Sequence, residues 1–149
     1  MKIRNRALGA LLGMFAFAML ANVAVAGDHP YTEGHVVVVS SVRTEPGMFE
    51  TYMKYLATTY KTMMEENKKA GNIVDYRVYS AQPRSPSDPN LYLVVTYKNM
   101  AAFDGLSDRM EAIQEKLIGD QATRDKSAVE RTKMRTQIGA EMMRELVLK

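Results

Sequence analysis

The chain has 149 residues, 46% apolar and 25% charged, with 9 Gly, 5 Pro, no Cys and no Trp, a balance that fits one globular domain and excludes collagen-like or disordered chains. Its formal net charge of +3 arises at the start: setting aside residues 1–26 with Lys2, Arg4 and Arg6 leaves 123 residues with 17 Lys+Arg against 17 Asp+Glu. A neutral domain lacks the broad positive field that drives nucleic-acid or anionic-membrane binding, and the lack of Cys excludes thiol catalysis, iron–sulfur clusters, Cys-ligated zinc and disulfide bracing.

Met1 to Ala26 has the anatomy of an export signal: the cations just named, the apolar run Ala7 to Leu20, and Ala24-Val25-Ala26 as a small-x-small cleavage site. Retention as an anchor is the alternative, but Gly9, Gly13 and Asn22 interrupt the Ala-rich stretch. Cleavage makes Gly27 the mature start, places the protein in the periplasm or outside the cell, leaves no stable membrane anchor and argues independently against nucleic acid as a partner. Residues 27–34, short and polar, read as a flexible leader.

The domain proper is expected over residues 35–149. His35 to Val42 is a β-branched run with apolar residues on both faces, a first strand inside a covered sheet. After Pro46-Gly47, the residues Phe49, Tyr52, Met53, Leu56, Tyr60 and Met63 recur at spacings of three and four, predicting a long amphipathic helix that Gly71 ends. From Ile73 to Ala81 the period becomes two, with Val74, Tyr76 and Val78 on one face and Ile73, Asp75, Arg77 and Tyr79 on the other. Three prolines between Pro83 and Pro89 make residues 83–90 a hairpin loop, and Leu91 to Tyr97 follows as the third strand.

Asn99 is a suitable N-cap for a second helix carrying Phe103, Leu106, Met110, Ile113 and Leu117, stopped by Gly119. Asp120 to Arg135 is charged and helix-compatible, and Ser127-x-x-Glu130 has capping-box spacing, which predicts a third, surface-lying helix. Gln137 to Leu148 is open to both readings. Glu-Met-Met-Arg-Glu-Leu favours helix, but period-two alternation, Gly139 and the need for a fourth strand favour β structure.

The resulting order, β-α-β-β-α-(α)-β, is the α+β plan of ferredoxin-like folds with a four-stranded antiparallel sheet. With Pro46-Gly47, Phe49 and Tyr52 after the first strand, and Tyr97-Lys98-Asn99-Met100-Ala101-Ala102-Phe103 entering the second helix, residues 35–148 resemble the dimeric α/β-barrel superfamily. Its members include antibiotic-biosynthesis-monooxygenase-like, haem-degrading and stress-response proteins. The resemblance implies a homodimer in which two sheets pack face to face, with a pocket between sheet and helices in each subunit. Burial of an otherwise bare apolar sheet face argues for the same dimer. The Asn-Trp-His sets of the monooxygenase-like and haem-degrading relatives find no match in a chain without Trp, whose two His lie outside both main helices.

Chemistry-bearing groups are few. His29 and His35 lack a third ligand at metal-site spacing, and the Met residues at positions 53, 63 and 110 fall on apolar helix stripes, so neither metal nor cofactor is expected. Asp75, Arg77 and Tyr79 on the second strand, with Glu141 and Glu145 on the last, are candidate ligand-binding residues if they converge inside a barrel. Otherwise they form an interfacial ion pair or a charge-protected edge. Tyr97 joins them as one of seven tyrosines in predicted elements, together with Tyr52, Tyr55, Tyr60, Tyr76, Tyr79 and Tyr92, whose apolar rings and polar tips suit a small apolar or aromatic ligand. No hydrolase, dehydrogenase or NTPase signature occurs. No catalytic residue is assigned, and whether the protein is an enzyme stays open. Three functions fit: an exported homodimeric small-molecule-binding or stress-associated protein; a cofactor-independent oxygenase or isomerase acting on a phenolic or quinone-like substrate; and a structural envelope interaction module.

Overall fold

The computed structural model describes residues 28–149, so the expected export signal lies outside the described residues. Strand β1 (Tyr31–Thr44) is central, antiparallel to β3 (Leu91–Tyr97) on one side and to β4 (Arg135–Leu148) on the other. Strand β2 (Asp75–Ser80) completes the order β2-β3-β1-β4 by pairing antiparallel with β3. The chain is thus an α+β protein with one four-stranded antiparallel sheet, and the strand order fits a ferredoxin-like arrangement. The sheet is open, with β2 and β4 as its edges.

Residues 31–34, assigned above to a leader, belong to β1, where Tyr31, Thr32 and Glu33 pair with Leu148, Val147 and Leu146. The sequence reading underestimated this strand because its partner, not its own composition, extends it. The β4 backbone offers a ladder, and Lys149 donates to the Asp28 carboxylate at 2.8 Å to close the end. Because β3 pairs only with Val36–Val42, the lower part of β1 and the upper part of β4 continue as a two-stranded ribbon beyond the sheet.

The expected first helix is one rod with an irregular middle: α1 (Phe49–Tyr55), a π-helical segment Leu56–Tyr60, and α2 (Lys61–Lys69). Buried Tyr52, Leu56, Tyr60 and Met64 recur every four residues. In a regular α-helix of 3.6 residues per turn, such a row drifts steadily around the axis. A wider π turn cancels part of the drift and keeps all four against the sheet. Thr58 assists, its hydroxyl donating to the Lys54 carbonyl at 2.8 Å within the altered turn. Gly71, at φ 74°, ends the rod in the left-handed conformation that favours glycine.

Tyr52, Leu56, Tyr60 and Met64 pack on Val36 and Val42 of β1 and on Leu91 and Tyr97 of β3, with Ile73 and Leu106 closing the core. The second predicted helix is divided. Asn99 caps a short 3-10 turn, Met100–Phe103, accepting from the Ala102 amide, and Gly105 at φ 62° turns the chain into α3 (Leu106–Ile118). Arg109 ties this corner to the long rod: its Nε donates to Asn72 Oδ1 at 2.9 Å, and Asn72 donates to Asn67 at 3.0 Å. Helix α4 (Gln121–Thr132) starts at Asp120, whose carboxylate accepts from the Thr123 amide at 2.9 Å, and not at the Ser127-x-x-Glu130 pattern, which lies inside the helix. No α4 residue is fully buried.

All the helices lie on one side. The opposite face carries Val37, Val39 and Ser41 of β1, Tyr92, Val94 and Thr96 of β3, and Glu141 and Met143 of β4, by alternation from the buried partners. Beyond Gln137, β4 is exposed on both faces, including Ile138, Met142, Met143, Leu146, Val147 and Leu148.

Candidate functional site

A cavity of about 220 Å³ opens between the sheet and the helices. Its floor is the helix-facing side of three strands: Ser40 and Val42 from β1, Leu93 from β3, and Arg135 and Gln137 from β4. The long rod supplies Tyr52, Tyr55, Tyr60 and Met63 as one wall, α3 contributes Gln114 and Ile118, and α4 closes over it with Arg131. The opening has a local cause. At Ser40 the β1 row presents a small polar residue between bulkier Val38 and Val42, and its β4 partner is Ala140, so the floor dips there.

Two residues of this lining each hold a polar atom that is buried without a partner among the described residues, the Tyr60 hydroxyl and Arg135 Nε, and neither atom is itself exposed to the cavity. Tyr60 is 8% exposed, and burial raises its phenol pKa far above the ordinary tyrosine value, helped by the neighbouring phenols of Tyr52 and Tyr76. Burial also raises Tyr52, against the opposing effect of the Arg135 cation. The Arg135 guanidinium lies 6.0 Å from the Tyr52 ring centroid, and that of Arg131 lies 5.7 Å from Tyr55. Tyr52 and Tyr55 stack on each other at 5.8 Å. Among the described residues, no Asp, Glu, His or Lys lines the cavity.

The residues singled out from sequence lie elsewhere. Asp75, Arg77 and Tyr79 alternate along β2 on the side away from the helices, and Glu141 and Glu145 lie on β4 at the other edge, with β3 and β1 between them. Three inter-strand spacings separate the two groups, about 14 Å. A single copy of the chain therefore does not bring them together. Asp75 is held by Arg77 Nε at 3.1 Å and Lys68 Nζ at 3.2 Å, and these bonds lower its carboxyl pKa. Glu145 accepts from the His35 amide at 3.3 Å. Tyr97 faces the helices, 7% exposed, with its ring 4.5 Å from Phe103, as a core residue.

Sequence reasoning named three of the cavity tyrosines within a larger set but missed Arg131 and Arg135. Arg135 was counted as the end of a charged surface helix, whereas it opens β4 and turns inward opposite Thr44. The available signal was Tyr60, a polar-tipped residue in the middle of an otherwise apolar stripe.

Fold and site together define an α+β domain with one sheet, helices on one of its faces, and a cavity lined by tyrosine and arginine between them. No family model matches the chain, and no curated protein matches it. Two solved structures are similar to it: the crystal structure of HapK from Hahella chejuensis, 13% identical over 74% of this chain and 91% of that one with a TM-score of 0.49, and protein SO0527 from Shewanella oneidensis, 16% identical over 78% and 96% with a TM-score of 0.48.

Proposed function

We propose that the protein is an exported, homodimeric small-molecule binder whose binding site is the cavity between sheet and helices. The observation that carries this reading is the cavity's lining, in which three tyrosine rings and apolar side chains surround the guanidinium groups of Arg131 and Arg135, neither of them in an ion pair among the described residues.

Binding is favoured over catalysis by the choice of lining groups. A general base works best with a pKa near the operating pH. The cavity offers no carboxylate or imidazole, and the phenols of Tyr52 and Tyr60 are pushed upward, away from neutrality. The dimer is supported by the uncovered sheet face, where Val37, Val39 and Val94 lie with Met143, and by the apolar residues exposed on both sides of β4. In this reading Arg77 and Glu141 belong to the border of a subunit interface.

Methyl NMR tests the site. Met63, Leu93 and Ile118 line the cavity, and single-ring compounds are expected to shift their methyl signals while leaving the exposed methyls of Met100 and Leu148 in place. Ser40→Phe, which fills the floor, is expected to abolish the response. Ligand-induced shifts confined to the outer surface, or a response unchanged in Ser40→Phe, would overturn the assignment.

A further inference from the structure

The binding reading can be deepened to a ligand class, because the cavity's cations lack a counter-charge. A guanidinium only donates hydrogen bonds, and Arg135 Nη1 donates to the neutral Gln137 Oε1 at 3.3 Å. Arg131 reaches the cavity from α4, and among the described residues neither it nor Arg135 is in an ion pair. Two guanidinium cations that no carboxylate offsets, in a partly enclosed space, select for an anion, and their planar forks suit a carboxylate in particular. The rest of the lining is mostly aromatic and aliphatic, with Tyr52 and Tyr55 stacked on each other, and adds the neutral polar side chains of Ser40, Gln114 and Gln137. The volume of about 220 Å³ is below the range of roughly 300–1,000 Å³ usual for drug-sized ligands. A single aromatic ring fits within it.

We propose that the cavity binds a single-ring aromatic carboxylate, its anionic group accepting hydrogen bonds from the guanidinium groups of Arg135 and Arg131, and its ring packed among Tyr52, Tyr55 and Ile118. This assignment rests on the cavity being a binding site.

The experiment is isothermal titration calorimetry of the intact protein with sodium benzoate and with benzyl alcohol, a neutral compound of similar shape. Benzoate is expected to bind at least about tenfold more tightly, about the difference one charge-assisted hydrogen bond supplies. Arg135→Met should remove that advantage and leave benzyl alcohol unaffected. Arg131→Met, in a helix with no buried residue, provides the same test in a variant that keeps the core intact. Equal affinity for both probes overturns the anion assignment and leaves the cavity a binding site. Benzoate binding undiminished in both arginine variants also overturns it, and binding of neither probe overturns the binding reading as well.

Discussion

At Tyr60 a hydroxyl sits inside the core row of the long helical rod with no protein partner. Tyr60→Phe removes a desolvated polar group and keeps the ring, so it is expected to stabilise the ligand-free protein by about 1 kcal/mol in urea denaturation. Loss of stability would show that the hydroxyl is satisfied in solution. The Asn67–Asn72–Arg109 chain presents the opposite case, since both asparagines are buried and hydrogen-bonded. Asn72→Ala strands the Arg109 Nε and the Asn67 carbonyl oxygen, and a loss of about 2 kcal/mol is expected from the same measurement.

Asp120 supplies a pH effect at this scale. Its hydrogen bonds from Thr123 lower its pKa in the folded protein below the ordinary aspartate value of 3.8. The unfolded chain therefore takes up a proton first. The cap's contribution is complete above the ordinary value and is lost as pH falls through the lowered one. Asp120→Asn, which still caps a helix but does not titrate, should flatten the acid limb of the melting-temperature profile relative to the wild type. Identical acid limbs would remove Asp120 from the account.

Among the elements, the π segment and α4 depart most from regular packing. Deleting Thr58 converts the spacing of the buried row from four, four, four to four, three, four, which a regular α-helix accommodates on one face. The deletion is expected to leave the protein folded, with stability within about 1 kcal/mol of the wild type by thermal melting. Unfolding would mean that the π turn is required and not merely accommodated. Helix α4 has no buried residue, so its amides should exchange with solvent faster than those of α2 and slow when the cavity is occupied.

These elements also show where a sequence is legible. The first three strands, the long rod and the charged third helix follow from period and from breakers at Gly71, the prolines of residues 83–89 and Gly119, because hydrophobic periodicity is a local signal, whereas Gln137 to Leu148 fits helix as well and reads as strand partly because the sheet needs a fourth member. Paired length is not local. Tyr31–Glu33 became strand only because β4 extends to Leu148. The site was legible in part for the same reason: Tyr52, Tyr55 and Tyr60 lie on a predicted stripe, whereas Arg135 depends on where β4 begins and which face it turns inward. Asp75, Arg77, Glu141 and Glu145 were grouped by shared alternation, but strand order puts them on opposite edges.

At the level of the whole molecule, one sheet face and nearly all of β4 lack cover among the described residues. A second copy that covers Val37, Val39 and Val94 accounts for this, and Val39→Lys is expected to shift the protein from dimer to monomer in sedimentation velocity with its helical signal unchanged. The central claim joins this assembly to the cavity: an exported pair of subunits, each holding one small acid. Native mass spectrometry of protein purified from the exported fraction tests it most directly. The account predicts two chains beginning at Gly27, with small-molecule adducts that leave on denaturation and do not form in Ser40→Phe; a ligand-free monomer would contradict it.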